Sequence, residues 1–170
     1  EGEETIVDLA DALDSARPLA EIDGIAFRDS RGIVVNKRRR RVMEVDELAP
    51  PGWDLFDLKT YHERRYEGCM YSAALSVPIL ATRGCPYQCT FCSAPNTWTL
   101  RWVPRDPVKV VDEIEGYVRK YGAGNFPLQD LTTIIQKKWI VAFCKELIRR
   151  RLNIVWQLPV GTRVEAVDEE

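Results

Sequence analysis

The sequence predicts an α/β fold built around a parallel sheet. Three observations carry that expectation. From about Ser76 onward, strand-like and helix-like stretches alternate. The strand candidates are short, continuous apolar runs, the pattern of strands covered on both faces. The helix between the first two carries start and stop signals. Alternation of this kind implies βαβ units, and in such sheets ligands bind beyond the C-terminal strand ends.

The first half of the chain is read differently. Residues 3–13 place Ile6, Leu9, Ala10 and Leu13 on one helical face. "GIAFRDSRGIVVNK" (24–37) is a hairpin, with Gly32 in its turn. "KRRRR" (37–41) is a charge run, expected to be a solvated strand edge. "DELAPPGWDLFDLKTYHERRYEG" (46–68) reads as a connector that lays Trp53, Phe56 and Tyr61 against a surface.

"VPILAT" (77–82) is the first expected strand of the sheet. "RDPVKVVDEIEGYVRKYG" (105–122) follows as a helix, capped by Asp106, begun at Pro107 and ended at Gly122. Val111, Ile114, Val118 and Tyr121 form its apolar stripe. "NFPLQD" (125–130) is the second strand. The next helix is "QKKWIVAFCKELIRRR" (136–151), with Ile140, Phe143, Cys144, Leu147 and Ile148 on one face and a basic last turn. "NIVWQLP" (153–159) is the third strand.

Composition bounds the function. The chain has 170 residues, 45% of them hydrophobic, and a net charge of −2. A packed core is therefore expected, and no global field draws in nucleic acid or an anionic membrane. Runs such as "SAALSVPILA" are too short to span a bilayer, and no signal peptide is visible. The chain lacks an initiator Met and closes on "RVEAVDEE", so it is expected to be a segment of a longer protein. Five cysteines, three of them in one loop, point to a reducing, cytoplasmic setting and to metal rather than disulfides.

That loop reads "RGCPYQCTFC" (83–92), and it follows the first strand directly. Cys85, Cys89 and Cys92 bring three thiols within a few residues. Three thiolates suit three corners of a cubane iron–sulfur cluster, leaving one iron open to a small molecule. Zinc is the rival reading. It wants four ligands, and the fourth would be Cys69, Cys144, His62 or a carboxylate. Free thiols are the third reading. Asp130 follows the second strand and Arg163 the third, so both converge on the same sheet edge as the cysteines.

"CPYQCTFC" resembles the CxxxCxxC signature of the radical S-adenosylmethionine (radical SAM) superfamily. The resemblance extends through "PILATRGCPYQCTFCSAPNTW" and "RWVPRDPVKVVDEIEGYVRKYG" to the enzymes with an N-terminal cobalamin-binding domain. It implies that Cys85, Cys89 and Cys92 ligate a 4Fe–4S cluster whose open iron takes S-adenosylmethionine. Reductive cleavage would then give a 5′-deoxyadenosyl radical, with Phe91 beside the adenine and Asp130 and Arg163 touching the cofactor. The implied architecture is the first half of a parallel β/α barrel (76–170), preceded by a hairpin and connector (17–75) and by the tail of a cobalamin-binding-like domain (1–16). The implied partners are a small-molecule substrate and a reductant such as a flavodoxin or ferredoxin. The implied reaction is methyl transfer, rearrangement or ring closure.

Three departures stand beside the resemblance. The family's cobalamin-ligating DxHxxG motif is absent, and the one histidine is His62. Three strands are present where the family has six. Leu131 stands where relatives often carry a second acid. The alternative function is a non-catalytic metal-binding module that docks RNA or protein through residues 37–41. Cys69, Cys144 and the five tryptophans are read as packing residues, with Trp98 or Trp102 a candidate wall of the cofactor site.

Overall fold

The computed structural model describes residues 1–65 and 73–167, so the packing role read for Cys69 lies outside the described residues. The chain divides into two compact units, Glu1–Glu44 and Val45–Glu170. No described helix is long and apolar enough to cross a membrane.

The first unit begins with α1 (Glu3–Asp14) and continues to the hairpin of β1 (Ala26–Asp29) and β2 (Gly32–Val35). The turn forms because the Asp29 carboxylate accepts the N–H groups of Arg31 and Gly32, at 2.8 and 3.0 Å. Asn36 donates to the carbonyls of Leu19 and Ile22, at 2.7 and 2.8 Å, and ties the end of β2 to the preceding turn. The helix does not bury the expected face. Ile6 and Leu13 are exposed, and Ala12 is buried instead, beside half-buried Thr5, Asp8 and Leu9. The reason is electrostatic. The side of α1 bearing Glu4 and Asp8 meets Arg39, which ion-pairs with both. Arg41 likewise pairs with Glu1 at 3.7 Å. The basic run lies beyond β2 rather than along a strand edge: Lys37, Arg38 and Arg40 are exposed, as expected of a solvated run, while Arg39 and Arg41 turn to the acids of α1 and to Glu1.

The second unit is an α/β assembly. β5 (Asn125–Pro127) pairs in parallel with β6 (Val155–Gln157). On its other side the 76–79 segment runs parallel to it through bridges at Ser76–Asn125 and Ile79–Leu128. A buried polar row crosses all three. Asn125 donates to Ser76 Oγ at 2.7 Å and accepts from Gln157 at 2.9 Å, which fixes their register. The helices α4 (Pro107–Tyr121) and α5 (Lys137–Arg150) form the connections and pack on one another. Asp106 caps α4 through the N–H groups of Val108 and Lys109, and Gly122 closes it, as the sequence predicts.

The core joins Val77, Ile79 and Ala81 to Val110, Val111, Ile114 and Tyr117 of α4. Phe126, Leu128, Trp139, Phe143 and Leu147 complete it. Phe143 stacks on Trp139 with ring centroids 5.6 Å apart and meets Trp156 edge-on. Two helix faces differ in detail from expectation. Ile148 is 74% exposed, Trp139 takes the inward position, and Tyr117 joins the stripe of α4. Of the connector aromatics only Trp53 packs on the core, while Phe56 and Tyr61 remain exposed.

The first expected strand (77–82) is the main correction. Its parallel pairing ends at Ile79, and the chain turns so that β3 (Thr82–Arg83) pairs antiparallel with β4 (Val103–Pro104). The second and third strands are shorter than predicted, because the chain leaves the ladder to build loops at that edge.

Gly124, just before β5, allows a close approach. A Cβ there would stand 2.8 Å from the Cβ of Ala74, which has no flexible end to move aside. Gly124→Ala is expected to destabilise the protein by about 1–3 kcal/mol, the usual cost of overpacking. Adding Ala74→Gly should recover part of that loss. Urea unfolding of both variants checks it; an unchanged midpoint for the single variant contradicts the packing shown.

Candidate functional site at the cysteine loop

The cysteine loop is an excursion from a fixed neck. At its base the N–H of Arg105 donates to the carbonyl of Ala81 at 3.0 Å. The N–H of Ala81 donates to Asp130 Oδ1 at 2.8 Å. Both polar groups of one buried residue are therefore committed, one to the start of α4 and one to the end of β5. This also explains why the ladder stops at Ile79: the carboxylate of Asp130 occupies the donor that a continuing strand would use. Gly84, with φ +84°, then turns the chain sharply out of β3, a conformation that costs other residues energy.

Arg105 holds the neck from outside. Its guanidinium contacts Asp46 at 3.0 Å, Glu113 at 2.7 Å and the carbonyl of Leu80 at 2.9 Å. Trp139 donates to the Arg105 carbonyl at 2.6 Å. Trp102, a candidate wall for a cofactor, donates instead to the carbonyl of Thr132 at 3.2 Å and packs edge-on against Trp139. It serves the neck.

Beyond the neck the loop opens. Cys85 is half-buried, and Cys89 and Cys92 are exposed. A tight turn joins the last two, with the Cys92 N–H donating to the Cys89 carbonyl at 3.0 Å. Cys92 Sγ accepts from the N–H of Ala94 at 3.4 Å, where α3 (Ala94–Trp98) begins. Among the described residues no three His, Cys, Asp or Glu side chains stand together as a ready metal site. The three thiols are thus the right donor set on one loop, with their sulfurs not yet gathered. Phe91, between two cysteines, is 92% exposed.

Asp130 is only 2% exposed, and its Oδ2 has no hydrogen-bond partner. Burial pushes its pKa up to about 6, against the amides of Thr82 and Ala81, which favour the carboxylate. Arg163 also comes to this edge. Its guanidinium lies over the ring of Tyr87, 4.3 Å from the centroid, and 3.7 Å from Glu165. Sequence reasoning brought Cys85, Cys89, Cys92, Phe91, Asp130 and Arg163 to one region, but not Arg105 or Tyr87. Cys144 lies against the core, where burial raises its thiol pKa, and not at the loop. The basic run 37–41 belongs to the other unit, where it lines a cavity of about 320 Å³ together with Glu4 and Asp23.

Known proteins place this arrangement. No protein-family model matches the chain. It is 36% identical, over 100% of its length, to 27% of the anaerobic magnesium-protoporphyrin IX monomethyl ester cyclase of Cereibacter sphaeroides. It superposes, with a TM-score of 0.65 and 24% identity, on the cobalamin-dependent S-adenosylmethionine radical enzyme OxsB with aqua-cobalamin and S-adenosylmethionine bound. That match covers 92% of this chain and 21% of OxsB. The radical S-adenosylmethionine methyltransferase TsrM of Kitasatospora setae, with cobalamin and a 4Fe–4S cluster bound, matches at a TM-score of 0.52 and 21% identity. Here 88% of this chain and 28% of TsrM are covered. The curated relatives it resembles are named as cyclases and methyltransferases, and the solved structures that share its fold are S-adenosylmethionine radical enzymes. The chain spans 27–29% of the length of the cyclases it matches.

The raised pKa of Asp130 has a consequence for stability. Its folded value, about 6, lies above its ordinary value of 3.8. The stability tied to its protonated form is therefore complete below about pH 4 and is lost as pH rises through about 6. Asp130→Asn removes the ionisation but keeps an acceptor for Ala81. The variant should gain on the wild type as pH rises from about 4 to 7, by at most roughly 3 kcal/mol. Urea unfolding across that range reads the gain. A difference that stays flat with pH contradicts burial as the cause.

Proposed function

We propose that the protein is a radical SAM enzyme whose Cys85, Cys89 and Cys92 hold a 4Fe–4S cluster. The observation that carries this is the three-thiol loop, standing on a pinned neck at the C-terminal edge of parallel strands. The donor set fits: soft thiolates are the ligands such clusters take. Cluster binding would have to draw the three thiols together, as metal binding and the closing of a ligand loop are commonly one event. A cluster held by Cys85, Cys89 and Cys92 would supply one-electron reduction to the sulfonium of S-adenosylmethionine bound beside it.

The chain's own residues supply position. Exposed Phe91 offers a ring face to an adenine. The unpartnered Asp130 Oδ2 offers an acceptor to the cofactor's ammonium group. Arg163, at the same edge, offers a cation to a carboxylate. Residues 76–170 serve as the first half of a parallel β/α barrel, 17–75 as hairpin and connector, and 1–16 as the tail of a cobalamin-binding-like domain. The reaction is methyl transfer or ring closure on a small molecule, as the names of the relatives suggest, with the electron from a flavodoxin or ferredoxin. No DxHxxG histidine lies within these 170 residues, so this segment does not by itself offer cobalamin a histidine of that motif.

The test is anaerobic reconstitution of the full-length protein with iron and sulfide. About four irons per chain and an EPR signal after reduction are expected, together with 5′-deoxyadenosine from added S-adenosylmethionine. Cys89→Ala should lose the cluster signal and the nucleoside product. A wild-type protein that holds zinc and forms no cluster would end the proposal.

A further inference from the structure

The contact between Arg163 and Tyr87 joins two loops that the sheet does not. Tyr87 lies inside the cysteine loop, between Cys85 and Cys89. Arg163 lies in the segment after β6, just ahead of a short helical turn at Val164–Ala166. The 76–79 segment and β6 are not neighbours, because each pairs with a different side of β5. A guanidinium 4.3 Å from the ring centroid therefore bridges over the end of β5 and closes on the loop from the far side of the sheet. The Tyr87 ring is half-buried, and Glu165 flanks the guanidinium at 3.7 Å, which limits where the cation can swing.

We infer that Arg163 is a positioning residue for the cysteine loop: its cation–π contact with Tyr87 holds the loop down on the sheet edge. The loop's neck is fixed by Ala81, Arg105 and Asp130, but its tip carries two exposed cysteines and no comparable hydrogen bonds to the sheet are seen there among the described residues. A tip free to lift would scatter the sulfurs. A ring gripped between the first two cysteines limits that scatter and keeps the loop over the strand ends. A contact of this kind at a partly exposed site is worth about 0.5–1 kcal/mol. That corresponds to roughly a 2–5-fold change in the fraction of chains with the loop seated. The inference rests on the proposed cluster for its purpose, but the contact itself is measurable without one.

The experiment is a double-mutant cycle in the full-length protein, prepared metal-free under anaerobic conditions. Arg163→Gln, Tyr87→Leu and the double variant are compared with the wild type. The readouts are the alkylation rate of each of the three cysteines, followed by mass spectrometry, and iron bound after reconstitution. Each single variant should speed alkylation of half-buried Cys85 about 2–5-fold and lower iron occupancy, with exposed Cys89 as the internal reference. The double variant should be no worse than either single one, because both remove the same contact. Tyr87→Phe keeps the ring face and should behave as wild type, and Arg163→Lys should keep part of the effect; these two are read if the larger changes fail to fold. Additive effects, or a Tyr87→Phe variant as impaired as Tyr87→Leu, overturn the inference. So does an Arg163→Gln variant whose alkylation rates match the wild type while affinity for S-adenosylmethionine falls, which would leave Arg163 its cofactor contact alone. A wild type that assembles no cluster refutes the proposed function, while the alkylation cycle still decides the contact.

Discussion

The site depends on the backbone of a single buried residue, Ala81. Its N–H is held by Asp130 and its carbonyl by the N–H of Arg105. An unsatisfied backbone group at such a place is costly, so both bonds are strongly selected once the residue is buried. Together they tie three places in the chain: the end of the 76–79 segment, the end of β5 and the start of α4. The antiparallel pair β3–β4 then follows, because residues 82–83 and 103–104 emerge side by side from this point. Everything between them, including all three loop cysteines, is an excursion from a rigid base.

Arg105 shows what that rigidity requires. A guanidinium so little exposed is tolerated only when its charge is matched, and removing one partner of such a pair is more damaging than the pair is helpful. Asp46 and Glu113 match it from two directions, and the Leu80 carbonyl takes a further donor. Asp46 also accepts the N–H of Asp106 at 2.7 Å, so the same carboxylate touches both the clamp and the cap of α4. Helix start, loop neck and connector are thereby one electrostatic unit. The stiffness ends there. Beyond the neck the loop is held by weaker means, the Arg163 contact with Tyr87 among them, so its tip can yield while its base does not.

Much of this was legible in the sequence because it rests on local rules. The helix 107–121 announces itself by Asp106, Pro107 and Gly122, and the hairpin by its Asp–Ser–Arg–Gly turn. The cysteines are legible because their spacing alone defines a donor set. What was not legible depends on pairing across the fold. Asn125 sits in an apolar run and looks like an interruption until Ser76 and Gln157 are seen on either side of it. Ser76 lies just ahead of the first strand candidate and Gln157 two residues past the register partner of Asn125, so the sequence offered no alignment of the three. The inward face of α1 was misread because hydrophobic periodicity was the wrong guide: ion pairs from Arg39 set its rotation. Arg105 was hidden for a related reason, as its partners lie 59 residues earlier and eight later.

Asp130 brings the structural and functional readings into one side chain. An apolar residue there would suit its buried surroundings better, since burial disfavours the charged form strongly enough to raise its pKa to about 6. An apolar residue could not accept the N–H of Ala81, however, and a neutral amide could do so without the penalty of charge. A carboxylate kept at such a position, with one oxygen engaged and the other without a partner, stores unfavourable energy that the fold alone does not need. Residues held at such a cost concentrate where ligands bind, because a cationic group arriving at the free oxygen recovers what burial took away. On that reasoning Oδ1 belongs to the neck of the cysteine loop, Oδ2 is left for a group from outside the fold, and one residue links the two.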